Sequence, residues 1–345
     1  MSKLEVKNIC KSFEKKQVLN NISFSVEDGK VLTLLGPSGC GKSTTLKAIA
    51  GLIDSFSGSI SLDSVDISKK PIEKRGTVIV FQNHLLFPHL TVEQNIGFGL
   101  KMRGVPKKEI QNKVDELLAL VQLPNIQKKT PNELSGGQQQ RIALARALAV
   151  EPKVLLLDEP FSSLDTKLRE EMRELTLSIQ KQKKITMIMV THDKEEAMMA
   201  SDYIAVMLDG EIKQVGTPRE IYYYPNCKYV ADFMGEKNYI KGTVENNMFV
   251  SSIGNFEITN SKSKEALLMI RPEDIQITTN TNNLHGTIVD VKFAGERLFY
   301  KVNVQGNILK TVQPASIVYQ KDDVIGVTIL IDEPIFFEAE VINSD

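Results

Sequence analysis

The stretch VLTLLGPSGCGKSTTLKAIAG, residues 31–51, decides the fold. It begins with an apolar run of strand length and ends with STTLKAIAG, a segment typical of a helix. Between them lies G-x-x-x-x-G-K-S, the spacing of the P-loop, whose backbone N–H groups bind the phosphates of a nucleotide. Because the motif follows a strand and opens a helix, the sequence predicts an α/β P-loop domain that binds a nucleotide.

Each residue type of this loop has a chemical use. The glycines let backbone N–H groups turn inward, Lys42 can reach the β- and γ-phosphate oxygens, and the Ser43 hydroxyl can bind Mg²⁺. The predicted nucleotide-binding residues of the loop are Gly36, Pro37, Ser38, Gly39, Cys40, Gly41, Lys42, Ser43 and Thr44.

Polar residues also follow other apolar runs that read as buried strands. In VLLLDEP, Asp158 would hold Mg²⁺ and Glu159 could polarise an attacking water. His192 follows ITMIMV, and Gln82 follows VIVF, where its amide could contact both the metal and the water. Because the carboxyl ends of parallel strands meet at one edge of a sheet, we expect these four side chains near the γ-phosphate.

Two further features each keep two interpretations open. LSGGQ, residues 134–138, starts a second glycine-rich helix. With Ser135 as its N-cap, this is either a capped helix that binds nothing, or a phosphate-facing helix end supplied to a second copy of the chain. Phe13 is either an ordinary core residue or a ring that stacks on adenine.

Length and composition favour two domains and a soluble protein. The chain has 345 residues, 42% of them hydrophobic, and a net charge of −1. The scattered cysteines Cys10, Cys40 and Cys227 favour a reducing compartment over a disulfide framework or zinc site. The start resembles no signal peptide, and the longest apolar runs are strand-sized, so we expect no membrane-spanning segment.

The character of the sequence changes after about residue 235. Short β-rich runs separated by Gly and Asn turns predict a small all-β sandwich or barrel, with domains at 1–235 and 236–345. The tail carries 10 Lys+Arg and 15 Asp+Glu, a net −5, which leaves 32 against 28, a net +4, for the first part. An acidic barrel is a poor binder of phosphate backbones, so we expect no nucleic-acid partner.

The motifs GPSGCGKST, LSGGQ, LLLDEP, SSLD and VTHD, in this order and spacing, resemble the ATP-binding subunits of ABC transporters over about residues 3–235. The resemblance implies a helical subdomain at about 88–152. It places Phe13 in the adenine-stacking position, Gln82 in the Q-loop and Glu159 at the catalytic base. It likewise places Asp165 in the D-loop and His192 at the switch position.

The tail extends the resemblance. GEIKQVGTPREIYYYPNCKYVADFMGEKN, MIRPEDI and GTIVDVKFAGERLFYKV are similar to the importer subfamily with a C-terminal OB-like TOBE domain. This group serves maltose, polyamine, ferric iron, phosphonate and sulfate uptake, and the implied role of residues 236–345 is regulation or dimerisation. The ending FMGEKN is closer to polyamine, iron(III) or phosphonate members than to sugar members.

The resemblance also implies an assembly. Two copies would pair head to tail, with Ser135, Gly137 and Gln138 of one facing the γ-phosphate held by Lys42 of the other. This homodimer, with ATP and Mg²⁺, would drive two permease subunits at the cytoplasmic face of the membrane, and an extracytoplasmic protein would deliver the solute. Leu85, Leu86 and Phe87, in the segment 85–87, would help form the permease-docking groove.

Two other classes of protein share part of this pattern. A soluble ABC-type ATPase of DNA repair or translation would need no permease, but it usually has fused cassettes or an inserted coiled coil. A P-loop kinase would have no use for LSGGQ, and no acceptor-substrate domain is evident. An importer ATPase is therefore the favoured interpretation.

Overall fold

The structure, a computed structural model, describes residues 3–14, 16–54, 56–83, 85–162, 164–258, 264–280, 284–316 and 318–338. The chain divides into two compact units, Met1–Tyr223 and Tyr224–Asp345. This division lies 12 residues before the boundary predicted at 235/236. The position of the domain boundary therefore stays a prediction.

The first unit alternates strands and helices. Its strands in the described ranges are β1 (Lys3–Phe13), β2 (Lys16–Glu27), β3 (Val31–Leu35), β4 (Ser57–Leu62), β5 (Val65–Asp66), β6 (Thr77–Val80), β7 (Val154–Asp158), β8 (Thr186–Thr191), β9 (Tyr203–Leu208) and β10 (Glu211–Gly216). Its helices there are α1 (Lys42–Ala50), α2 (Val92–Met102), α3 (Lys107–Leu120), α4 (Gly136–Ala149), α5 (Thr166–Lys183), α6 (Lys194–Ala200) and α7 (Pro218–Tyr223).

A six-stranded sheet of order β10-β9-β3-β8-β7-β6 forms the centre of this unit. Its strands are parallel except β10, which pairs antiparallel with β9. The sequences of β3 and β8 are buried along their whole length, as expected for strands covered on both faces. The carboxyl ends of β3, β7 and β8 consequently lie at one edge, which is where the predicted site residues follow.

Alternate residues of the central strands pack into two different cores. Val154 and Leu156 of β7 join a core with the antiparallel sheet β2-β1-β4-β5 and α1. Leu155 and Leu157 join a second core built with helices α2 to α5. The central sheet therefore lies between a smaller sheet and a helical layer, which confirms the predicted α/β class.

The second unit contains helix α8 (Lys228–Phe233) and antiparallel strands. The strands described are β11 (Asn238–Glu245), β12 (Met248–Ser251), β13 (Gly254–Glu257), β14 (Glu265–Ile270), β15 (Ile275–Thr278), β16 (His285–Ala294), β17 (Arg297–Val304), β18 (Asn307–Pro314), β19 (Val324–Ile329) and β20 (Ile335–Glu338). They form two five-stranded sheets, β13-β12-β11-β14-β20 and β15-β19-β16-β17-β18, around one shared core. The predicted all-β character of the tail is confirmed.

Within the described part of the chain, no helix combines the length and the apolar character needed to cross a membrane.

Candidate functional site

The P-loop connects the end of β3 to the start of α1. Gly41, the N-cap of α1, has φ 107°, and a Cβ there would lie 2.9 Å from the carbonyl oxygen of Val18, so only glycine fits. Lys42 is only 5% exposed and donates its ammonium to the carbonyl oxygens of Gly36 at 2.7 Å and Pro37 at 2.8 Å. Phosphate oxygens are stronger acceptors than carbonyls, so this buried cation is suited to bind an anion in the loop.

Ser43 and Asp158 meet at the sheet edge. The Ser43 hydroxyl, in the first turn of α1, donates to Oδ1 of Asp158, the last residue of β7, at 2.7 Å. A hydroxyl and a carboxylate are hard oxygen ligands of the kind that Mg²⁺ prefers. The pair fits a magnesium ion that would also touch a bound phosphate.

Glu159 and His192 follow neighbouring parallel strands. The Glu159 Oε1 lies 3.3 Å from Nδ1 of His192, and the Glu159 amide donates to the Val190 carbonyl at 3.0 Å. Glu159 has φ 47°, a left-handed conformation that is strained for a residue with a Cβ. The backbone turn thus places the carboxylate against the imidazole instead of continuing the strand.

Gln82 is linked to the turn at Glu159 through Ser162, a residue to which the sequence analysis assigned no role. Its Nε2 donates to the Ser162 hydroxyl at 3.0 Å, and that hydroxyl donates to the Glu159 carbonyl at 3.0 Å. The signal for Ser162 was its position three residues after Glu159 in a turn, where serine commonly bonds to a backbone carbonyl.

Ser135 is the N-cap of α4 in a capping box. Its Oγ accepts from the Gln138 amide at 3.4 Å, while Oε1 of Gln138 accepts from the Ser135 amide at 3.1 Å. A Cβ on Gly137 would lie 2.8 Å from the Leu168 side chain, on the helix that Asp165 caps through the Leu168 amide at 3.0 Å. The starts of α4 and α5 therefore pack together, and no hydrogen bond in the described ranges joins them to the P-loop.

Phe13 is the last residue of β1 and is 46% exposed. It is therefore not a core residue, and the interpretation as ordinary core is excluded. The Lys11 ammonium lies 5.0 Å from the ring centroid. An exposed aromatic ring is a surface on which a nucleotide base can stack.

The segment 85–87 is held from two sides. Leu85 has φ 44° and is 55% exposed, and its carbonyl accepts from the Arg146 guanidinium of α4 at 2.8 Å. The buried Asn95 of α2 accepts from the Phe87 amide at 2.8 Å and donates to the Phe87 carbonyl at 3.1 Å. Sequence reasoning missed Arg146 and Asn95 because neither stands next to a motif that would mark it.

Four residues after His192 along the chain is a buried carboxyl group, that of Glu196. Glu196 accepts from the hydroxyl of Thr191, and its second oxygen has no hydrogen-bond partner in the described residues. Burial raises the pKa of Glu196 to about 7, although the hydrogen bond from Thr191 opposes the shift. This network fixes the turn from β8 to α6 that carries the histidine.

The structure has a P-loop after the buried strand β3, an acidic pair at the end of the parallel strand β7 of the same sheet, and a capped glycine-rich helix. Together these features define a P-loop ATPase with an appended β domain. Comparison with known proteins agrees with this class. Residues 19–162 match the family model described as ABC transporter, and residues 268–337 match the TOBE domain. The chain belongs to the ABC transporter family, as an ATP-binding subunit with a TOBE domain, and its activity is ATP hydrolysis.

Its relatives include two named import proteins. The spermidine/putrescine import ATP-binding protein PotA of Borreliella afzelii strain PKo is 45% identical over 309 residues, which is 88% of this chain and 89% of the relative. The protein of the same name from Borrelia garinii subsp. bavariensis has the same identity and coverage. The predicted resemblance to importer ATPases with a TOBE domain is confirmed.

A solved structure shares the fold. The structure of cbiO1 from Clostridium perfringens, described as part of the ABC transporter complex cbiONQ, is 33% identical with a TM-score of 0.60. The match covers 64% of this chain and 90% of that one.

Proposed function

We propose that this chain is the energy-coupling ATPase of an importer that takes up a polyamine. The observation that carries the proposal is the sheet edge where Lys42, Ser43, Asp158, Glu159 and His192 assemble. The polyamine assignment is supported by the names of the two relatives, and FMGEKN at the end of the first part agrees with it.

In this proposal Glu159 is the general base. The neighbouring His192 holds the carboxylate and the attacking water in place, and the strained turn at Glu159 aims the side chain out of the strand. Gln82 acts on the same turn through Ser162. Mg²⁺ would be held by Ser43, Asp158 and Gln82, and when bound it would neutralise charge on the phosphates.

The nucleotide-binding groups are divided between two copies of the chain. Phe13, the loop 36–44 and Lys42 bind ATP in one copy, and Ser135, Gly137 and Gln138 of the other copy complete the site, with Asp165 close to that junction. The capped start of α4 supports this division, because it presents helix N–H groups without a bond to its own P-loop. The working unit is a homodimer.

The homodimer acts on two permease subunits at the cytoplasmic face of the membrane, and an extracytoplasmic binding protein delivers the solute. The segment 85–87 supports this docking. It exposes Leu85 while Arg146 and Asn95 hold the backbone beneath it.

The test is ATP hydrolysis by the complete complex reconstituted in liposomes. Spermidine or putrescine with the binding protein should stimulate hydrolysis, and maltose, ferric iron and a phosphonate should not. A matched complex carrying Glu159→Gln should bind ATP and show no stimulated turnover. Stimulation by one of the other solutes would overturn the polyamine assignment alone, and normal turnover by the Gln variant would overturn the general base.

A further inference from the structure

Three consecutive glutamines in α4 make three different bonds. Gln138 belongs to the capping box with Ser135, and Gln139 donates to the Pro131 carbonyl at 3.0 Å. Gln140 instead donates from its side-chain amide to the carbonyl of Pro160. Pro160 lies neither in α4 nor in the segment that precedes this helix. The third glutamine thus connects α4 to the turn that follows β7.

The Gln140 side chain is buried, so the hydrogen bonding of its amide group affects the stability of the folded chain. The side chain is 4% exposed, and its Oε1 is buried with no partner in the described part of the chain. Burying an amide with one unsatisfied oxygen is unfavourable, and an apolar side chain of the same size would fill the space without that penalty. The bond to Pro160 is therefore the chemical contribution that an apolar residue could not make.

The bond ends next to the catalytic turn. Pro160 directly follows Glu159, whose carbonyl is held by Ser162 and whose carboxylate faces His192. The opposite end of the connection lies in the first turns of α4, one helical turn from the Ser135 capping box. One hydrogen bond thus joins the turn at Glu159 to the first turns of α4.

We propose that Gln140 is a positioning residue that couples the two ATP sites of the dimer through the body of each chain. The inference rests on the proposed head-to-tail pairing, in which Glu159 serves a chain's own nucleotide and Ser135 serves the nucleotide of its partner. When ATP orders the turn at Glu159, Gln140 holds Ser135 in the orientation that the second site requires. Gln140 itself touches neither nucleotide.

The test uses full-length chains with Glu159→Gln, which should form stable dimers with ATP. Adding Gln140→Met keeps the length and burial of the side chain but removes the donor. We expect ATP affinity of the monomer within about twofold of the parent, and ATP-dependent dimerisation weakened at least about fivefold. The control, Gln111→Met, makes the same substitution at an exposed glutamine of α3 and should dimerise like the parent. Sedimentation with ATP measures dimerisation, and a fluorescent ATP analogue measures binding.

Three outcomes would overturn the inference. Dimerisation of the Gln140→Met chain equal to that of the parent would show that the bond carries no coupling. Loss of monomer ATP affinity, or failure to fold in both Gln140→Met and Gln140→Leu, would show a bond that is structural only. If the Glu159→Gln parent stays monomeric with ATP, the proposed pairing is itself wrong and the inference falls with it.

Discussion

Buried polar side chains of the ATPase unit are held mainly by backbone carbonyls. Lys42 donates to two carbonyls of the P-loop. Arg75 donates to those of Ala48 and Ile49 at the end of α1, and also to those of Lys70 and Ser68. The motif predicted Lys42, but nothing local marks Arg75, because its partners become neighbours only when the chain folds. Burial lowers the pKa of Arg75, and these four carbonyls offset the cost of burying its charge.

Glu196 makes stability depend on pH. Its pKa is about 7 in the folded protein against an ordinary value of 4.5, so the folded state binds the proton more tightly than the unfolded state. The stabilisation is complete below pH 4.5, decreases as the pH rises towards 7, and is lost above it. We expect Glu196→Gln to remove this slope, which is at most about 1.4 kcal/mol per pH unit. Urea unfolding between pH 4.5 and 8 measures it.

Charged groups near Glu196 also affect its pKa, and an exposed neighbouring glutamate provides the control variant. Asp193 raises its pKa further, whereas Arg169 and Arg173 lower it. Glu195 is the exposed neighbour, and Glu195→Gln should keep the wild-type dependence of stability on pH. An unchanged slope in Glu196→Gln would show that this carboxyl does not titrate in the window.

At the scale of elements, helices α2 and α4 both begin with a capping box but differ in the residues that follow the cap. Thr91 and Gln94 form a capping box at the start of α2, as Ser135 and Gln138 do at the start of α4. Both boxes consist of a hydroxyl residue followed three positions later by glutamine, and of these residues the sequence analysis predicted only Ser135 as an N-cap. Of the two helices, α4 alone has glycines at its first two positions, of which Gly136 is exposed and Gly137 is buried against the Leu168 side chain.

Comparing the caps at Thr91 and Ser135 separates the effect of capping on stability from a role in ATP hydrolysis. Ser135→Ala and Thr91→Ala should each lower the free energy of unfolding by about 1 kcal/mol, because each removes a cap. Only Ser135→Ala should also abolish most ATP hydrolysis, with nucleotide binding by the monomer intact. Chemical denaturation and steady-state ATPase assays measure the two effects. Equal loss of hydrolysis in both variants would reduce the role of Ser135 to capping.

At the scale of the whole molecule, the two units have separate hydrophobic cores. The ATPase unit contains two core clusters around its central sheet, and the β unit has its own cluster between its two sheets. The composition change near residue 235 indicated a second domain, but the division after Tyr223 assigns α8 to the β unit. A short helix before the first strand gives no compositional signal of the unit with which it packs.

Mixing two inactive chains tests the dimer. Lys42→Ala removes the phosphate contact of a chain's own site, and Ser135→Ala removes the contact to the partner's site. Each homodimer should be inactive, whereas each mixed dimer retains one intact site, so an equal mixture should regain hydrolysis up to about a quarter of the wild-type rate. No recovery in mixtures shown by cross-linking to contain mixed dimers would exclude the head-to-tail arrangement.

The sequence by itself determined the features whose information is local. The P-loop spacing, the buried strands with polar residues after them, the LSGGQ helix start and the β-rich tail each need only a few adjacent residues. Together with their order along the chain, these features predicted the family and the fold class. The individual roles at the site stay predictions.

Only the tertiary structure decided which distant side chains meet. It joined Gln82 to Glu159 through Ser162, connected Gln140 to Pro160, and placed Arg146 beneath Leu85. These contacts depend on the strand order of the sheet and on helix packing, because residues separated by 20 to 80 positions approach only after the core has formed. No pattern of neighbouring residues encodes such pairs, so a reading confined to local periodicity could not have found them.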